Sequence, residues 1–62
     1  MIERIEEAIG DKVLDIKIND DPETMVGIYA GEPGGYEIHL QTNRGTWRIE
    51  GCFGLPTNVW KI

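Results

Sequence analysis

The chain has 62 residues, 40% of them apolar and 27% charged, and eleven acids against six bases leave a net charge of −5 at pH 7. That balance is too short for two hydrophobic cores and too apolar for a disordered tail, so it predicts one small globular domain over residues 1–62. A single cysteine, Cys52, and a single histidine, His39, exclude an internal disulfide and a Cys/His zinc site.

A lone domain of this size buries only about 60% of the surface its unfolded chain exposes, so its stability is marginal. With disulfide and zinc set aside, self-association or partner binding is the remaining supplement; the alternative is a well-packed monomer. One unpaired thiol suits a reducing compartment. Residues 1–10 are charged and lack the apolar core of a signal peptide, and no stretch is long and apolar enough for a membrane span. The expectation is a cytoplasmic protein, and a stand-alone chain of this length suits a phage or mobile-element gene.

Charge is unevenly spread. Residues 1–32 carry −6 and residues 33–62 carry +1. Nucleic-acid phosphates would meet net repulsion, so direct nucleic-acid binding is not expected. An acidic front suits the basic surface of another protein instead.

In chain order, Ile2, Ile5, Ala8 and Ile9 recur at helical spacing with Glu3, Arg4, Glu6 and Glu7 opposite, predicting an amphipathic helix over 2–9 that Gly10 stops. Strand patterns follow over about 12–18, 24–30, 36–42, 46–50 and 58–62. In the first, Leu14, Ile16 and Ile18 alternate with Asp15 and Lys17. Asn19-Asp20-Asp21-Pro22 reads as a turn. In the second, Val26, Ile28 and Ala30 alternate with Met25, Gly27 and Tyr29. Glu32-Pro33-Gly34-Gly35 fits a type II turn, with proline second and glycine where φ must be positive. Tyr36, Ile38 and Leu40 then oppose Glu37, His39 and Gln41, and Trp47 and Ile49 oppose Thr46, Arg48 and Glu50.

Pleat parity constrains the hairpin between Thr42 and Thr46. An even loop pairs Leu40 with Trp47 and Ile38 with Ile49, whereas a three-residue loop would mix apolar and polar faces. The even loop is expected, with Gly45 supplying the left-handed residue. The whole predicts an α+β fold: a short N-terminal helix packed on a four- to five-stranded antiparallel meander, either a curled sheet or a small closed barrel. In element order and length it resembles the Sm-like and SH3-like small barrels. That resemblance extends to no functional residue, since the motifs that make Sm-like proteins RNA binders are not visible.

Little in the chain points to catalysis. There is no serine. The expected register sets Cys52 across from Gly35, roughly 13 Å from His39, too far for a Cys–His dyad. Cys52 therefore reads as a small packing residue. Counted from Asn19, Asp20 or Asp21, no stretch has both the glycine at position six and the glutamate at position twelve that a calcium loop of EF-hand type needs, so no metal set is predicted. Gly31-Glu32-Pro33-Gly34-Gly35 leads into a strand rather than a helix, and reads as a hairpin turn rather than a phosphate cradle. No cofactor motif is present.

Two constellations remain. His39 faces Arg48 across the third and fourth strands, with Gln41 beside them, Arg44 at the loop tip, and Trp60 and Lys61 near the C-terminus. These six could converge on an anionic small ligand such as a nucleotide, held between subunits of a homo-oligomer. The competing reading is an exposed sheet face on which Arg48 bridges Glu37 or Glu50. Val13, Met25, Tyr29 and Phe53 fall on the side away from the main apolar face and are candidates for an interface, or for the interior of a barrel. The leading functional expectation is a small acidic, non-enzymatic binding module that acts by protein–protein interaction as an inhibitor or accessory factor. The alternative is the homo-oligomeric binder of an anionic small ligand.

Overall fold

The computed structural model describes residues 3–62. A 3-10 turn (Ile5–Ala8) precedes four strands: β1 (Val13–Asn19), β2 (Gly35–Thr42), β3 (Gly45–Cys52) and β4 (Leu55–Lys61). All neighbours are antiparallel and the spatial order follows the chain, β1-β2-β3-β4.

The expected curled sheet or closed barrel is not what forms. The sheet is open: β1 and β4 are its two edges, and they do not pair. The reason lies in residues 24–30, whose alternating pattern predicts a strand that does not exist. Their backbone groups are taken by local turns, with Ala30 N–H donating to Gly27 O, Gly31 N–H to Pro22 O and Glu32 N–H to Tyr29 O. Three further amides in this stretch donate to carboxylates of the sheet. Residues 20–34 form an arm that lies over one face instead of extending the ladder.

The predicted helix over 2–9 also shrinks, to four residues of 3-10 turn; Ile2 lies outside the described residues. Arg4, at the capping position, gives no side-chain cap, and one turn without a cap cannot propagate an α-helix. Glu3 is committed elsewhere. Its N–H donates to Val59 O (2.7 Å) and its carboxylate accepts the N–H of Lys61 (3.1 Å), so the chain begins as a partial cover for the β4 edge. At the other end, Lys12 and Asn43 exchange hydrogen bonds, so residues 3–12 cross this end of the sheet from β4 to β1. Gly10, at φ +94°, makes the stop its position predicts.

The central hairpin has the expected register. Leu40 faces Trp47, Ile38 faces Ile49 and His39 faces Arg48, around a loop of Asn43 and Arg44, with Gly45 at φ +132°. The Glu32–Gly35 turn also forms as predicted, with Gly35 N–H donating to Glu32 O and Gly34 at φ +79°. The strand expected over 58–62 starts earlier, at Leu55. Cys52 pairs with Leu55, and Phe53 and Gly54 between them take φ +52° and +81°. Two successive positive φ values are what a type I′ hairpin requires. Pro56 sits on an edge strand, where its missing N–H leaves no ladder bond unmade.

This topology gives the sheet two unlike faces. Ile16, Ile18, Ile38, Leu40, Trp47, Ile49 and Val59 share the apolar one, as their cross-strand pairings require. Of these seven, Trp47 and Val59 are buried, and on β1 Ile16 and Ile18 remain 54% and 65% exposed. Glu37, His39, Arg48, Glu50 and Trp60 share the other face, beneath the arm. The third buried apolar residue, Met25, belongs to the arm itself, and a Cβ on Gly35 would meet its Cε.

Candidate functional site

The polar face holds an ion-pair cluster that the strand register dictates. Glu37 on β2 stands opposite Glu50 on β3, and His39 stands opposite Arg48, all four on one side of the pleat. Arg48 reaches along its strand so that Nη2 lies 3.0 Å from Glu37 Oε2 and 3.5 Å from Glu50 Oε2. Its Nη1 lies 2.8 Å from His39 Nε2. Arginine has only donors, so Nε2 is the acceptor in this contact. Behind the guanidinium lies the Trp60 ring, 5.6 Å from Arg48 Cζ to the ring centroid, a cation–π distance.

The carboxylates also hold the arm. Glu37 Oε1 accepts the N–H groups of Val26 and Gly27, each at 2.8 Å, and Glu50 Oε2 accepts that of Ile28 at 3.3 Å. Both glutamates are buried, at 5% and 2% exposure, and carboxylates so placed must be fully hydrogen-bonded. Gly27 makes the close approach possible, because a Cβ there would run into the Glu50 carboxylate. Tyr29 adds a second clasp, its hydroxyl 2.6 Å from Thr57 Oγ1 on β4.

Arg48 therefore bridges both Glu37 and Glu50, on a face that is covered rather than open. Two carboxylates and one guanidinium leave a single net negative charge, so the arginine's charge is already matched within the chain. Of the six residues considered for an anionic ligand, His39, Arg48 and Trp60 come together here. Gln41 faces Thr46 one pair further along and is exposed. Arg44 lies at the hairpin tip, 3.7 Å from Asp11. Lys61 pairs with Trp47, which places it on the apolar face. Of the interface candidates, Val13 and Phe53 are exposed at opposite ends of the sheet, Met25 is buried, and Tyr29 is half-buried in its clasp. The four do not make one patch.

Beside the cluster lies a shallow, wide-open groove of about 660 Å³. Val26, Gly27 and Ile28 of the arm form one wall, Trp60 and Ile62 the other, and Arg48 and Glu50 the floor. Val26, Ile28 and Ile62 are largely exposed, a costly state for large apolar side chains without a partner. The arm's contribution was hidden in the sequence, since strand-like alternation hides a turn-rich segment. The pairing of Glu37 with Glu50 was implicit in the hairpin register. Among the described residues, no group of three His, Cys, Asp or Glu side chains has metal-binding geometry, and no helix is long and apolar enough to cross a membrane. No family model, curated protein or solved structure matches the chain.

Proposed function

We propose that the chain is a small acidic protein-binding module with no catalytic role of its own, acting as an inhibitor or accessory factor. Its groove receives an apolar side chain of a partner segment that carries lysine or arginine beside it. The observation that supports this reading most is the groove itself. Val26, Ile28 and Ile62 stand in water around a half-buried Trp60, over a floor with a residual negative charge. Aromatic and aliphatic anchors rimmed by polar groups are what protein interfaces use for their central contacts. The net charge of −5 favours a basic partner surface. A cytoplasmic setting is consistent with the free, half-buried Cys52.

Selection of a random peptide library on the immobilised chain tests the reading. Enriched peptides should share an apolar residue next to a base, and a Val26→Asp variant should lose them by at least about tenfold, the cost of unpairing one apolar anchor. Peptides that bind wild type and Val26→Asp equally, or the absence of any enrichment, would refute it.

A further inference from the structure

We propose that β1 pairs antiparallel with β1 of a second copy of this chain, about a two-fold axis at Ile16, joining the two sheets into one of eight strands. The Arg48 and Glu50 floor of the groove is on β3, two strands away, and the inference concerns the outer edge of β1, which the groove does not use.

β1 is an edge strand exposed on both faces. From Val13 to Ile18 every residue is exposed, and four of those six are large and apolar. The ladder alternates, so every second residue of β1 turns its backbone groups away from β2. Ile16 is one of the outward residues. Its N–H is taken by the carboxylate of Asp15 next to it, at 2.9 Å, and not by β2. By the same alternation Ile18 also points outward. A free edge of this kind is a template for another strand.

The side chains specify which strand and in which register. Outward backbone groups must face outward groups, so the shift between copies changes in steps of two residues. With Ile16 on the axis, Asp15 meets the second copy's Lys17 and Lys17 meets its Asp15, two opposite-charge pairs on one face. On the other face Ile16 meets Ile16. Centring on Lys17 would set two lysines opposite each other, and centring on Asp15 two aspartates. Centring on Ile18 would put Ile16 against Asp20. Only the Ile16 register joins opposite charges and apolar side chains together. On pairing, the Ile16 N–H passes from Asp15 to the second copy's Ile16 carbonyl, which frees Asp15 for lysine. The regular part of β1, after its bulge between Val13 and Asp15, contains this centre.

Sedimentation equilibrium under reducing conditions at low salt tests this with Asp15→Lys, Lys17→Asp and their combination. The wild-type chain should sediment at twice its 7.0 kDa mass. Each single variant sets like charges opposite each other twice per dimer and should weaken association at least about tenfold. The double variant should restore the dimer, and an equimolar mixture of the two singles should form a heterodimer. Both side chains are exposed, and a melting curve for each variant confirms that the fold is intact. A monomeric wild type, single variants that dimerise as tightly as wild type, or a mixture that does not associate would each overturn the proposal. Those outcomes are read from the mass of the assembly and peptide binding by Val26→Asp is read from enrichment, so failure of one proposal is distinguishable from failure of the other.

Discussion

Glu37 and Glu50 face each other on adjacent strands, both sealed from water, with the Arg48 guanidinium 3.0 and 3.5 Å from their carboxylates. Two like charges opposite one another in a sheet repel, and burial raises the cost of each. The arrangement persists because one arginine serves both acids, and because Glu37 Oε1 and Glu50 Oε2 accept three backbone N–H groups from the arm. The cluster is thus the joint between the arm and the sheet, and the groove exists because that joint holds.

Removing the arginine alone should therefore be severe. Arg48→Met leaves two buried carboxylates without a counter-charge and should cost roughly 3–5 kcal/mol, enough to unfold much of a marginal domain. Combining it with Glu37→Gln and Glu50→Gln removes the stranded charges and keeps acceptors for the arm, so it should recover more than half of that loss. Urea unfolding of the single and triple variants checks this. A single-variant loss below about 1 kcal/mol, the scale of an exposed ion pair, would mean the cluster is not buried as described.

The arm should respond to Glu37 in particular. Glu37→Ala removes the acceptor of the Val26 and Gly27 amides, so their hydrogen exchange should accelerate by at least about tenfold, while Ile38 and Ile49 in the central hairpin change less. Glu37→Gln retains an acceptor oxygen and should fall between wild type and alanine. Equal acceleration at all four positions would indicate global destabilisation and contradict a local clasp.

Phe53 offers a stabilising change. It is a large, 79% exposed residue at φ +52°, a region that costs an L-residue with a Cβ about 1–2 kcal/mol. Phe53→Asn places asparagine before Gly54, the preferred pair for two successive positive φ values, and keeps the backbone donor to Gly34 O. Stability should rise by about 1 kcal/mol, read as a higher melting temperature. A fall would show that the ring's packing against Gly34 outweighs the backbone cost.

The legible and illegible parts of this sequence divide along a physical line. Pleat parity in 36–50 was enough for the register, because only one pairing keeps Ile38, Leu40, Trp47 and Ile49 together. That register also placed His39 against Arg48 and Cys52 against Gly35. Glycine and proline chemistry located the Glu32–Gly35 turn. Residues 24–30 misled because alternation records side-chain direction but not where backbone N–H groups go. There they go to buried carboxylates twenty residues or fewer away in sequence, or slightly more for Ile28. The N-terminal helix misled in a similar way, since Glu3 is drawn to the β4 edge and too few residues remain to propagate a helix. Phe53-Gly54 was missed as a turn because phenylalanine carries no turn signal. The barrel expectation depended on the absent fifth strand.

The proposed function places a partner segment in the groove between Val26–Ile28 and Trp60. Titration of the isotope-labelled chain with the tightest library-selected peptide, followed by backbone-amide and indole NMR shifts, tests it most directly. The largest changes should fall on Val26, Gly27, Ile28, the Trp60 indole and Ile62, with the Trp47 indole unmoved. Largest changes on the apolar face, at Ile18, Ile38 and Trp47, would contradict it.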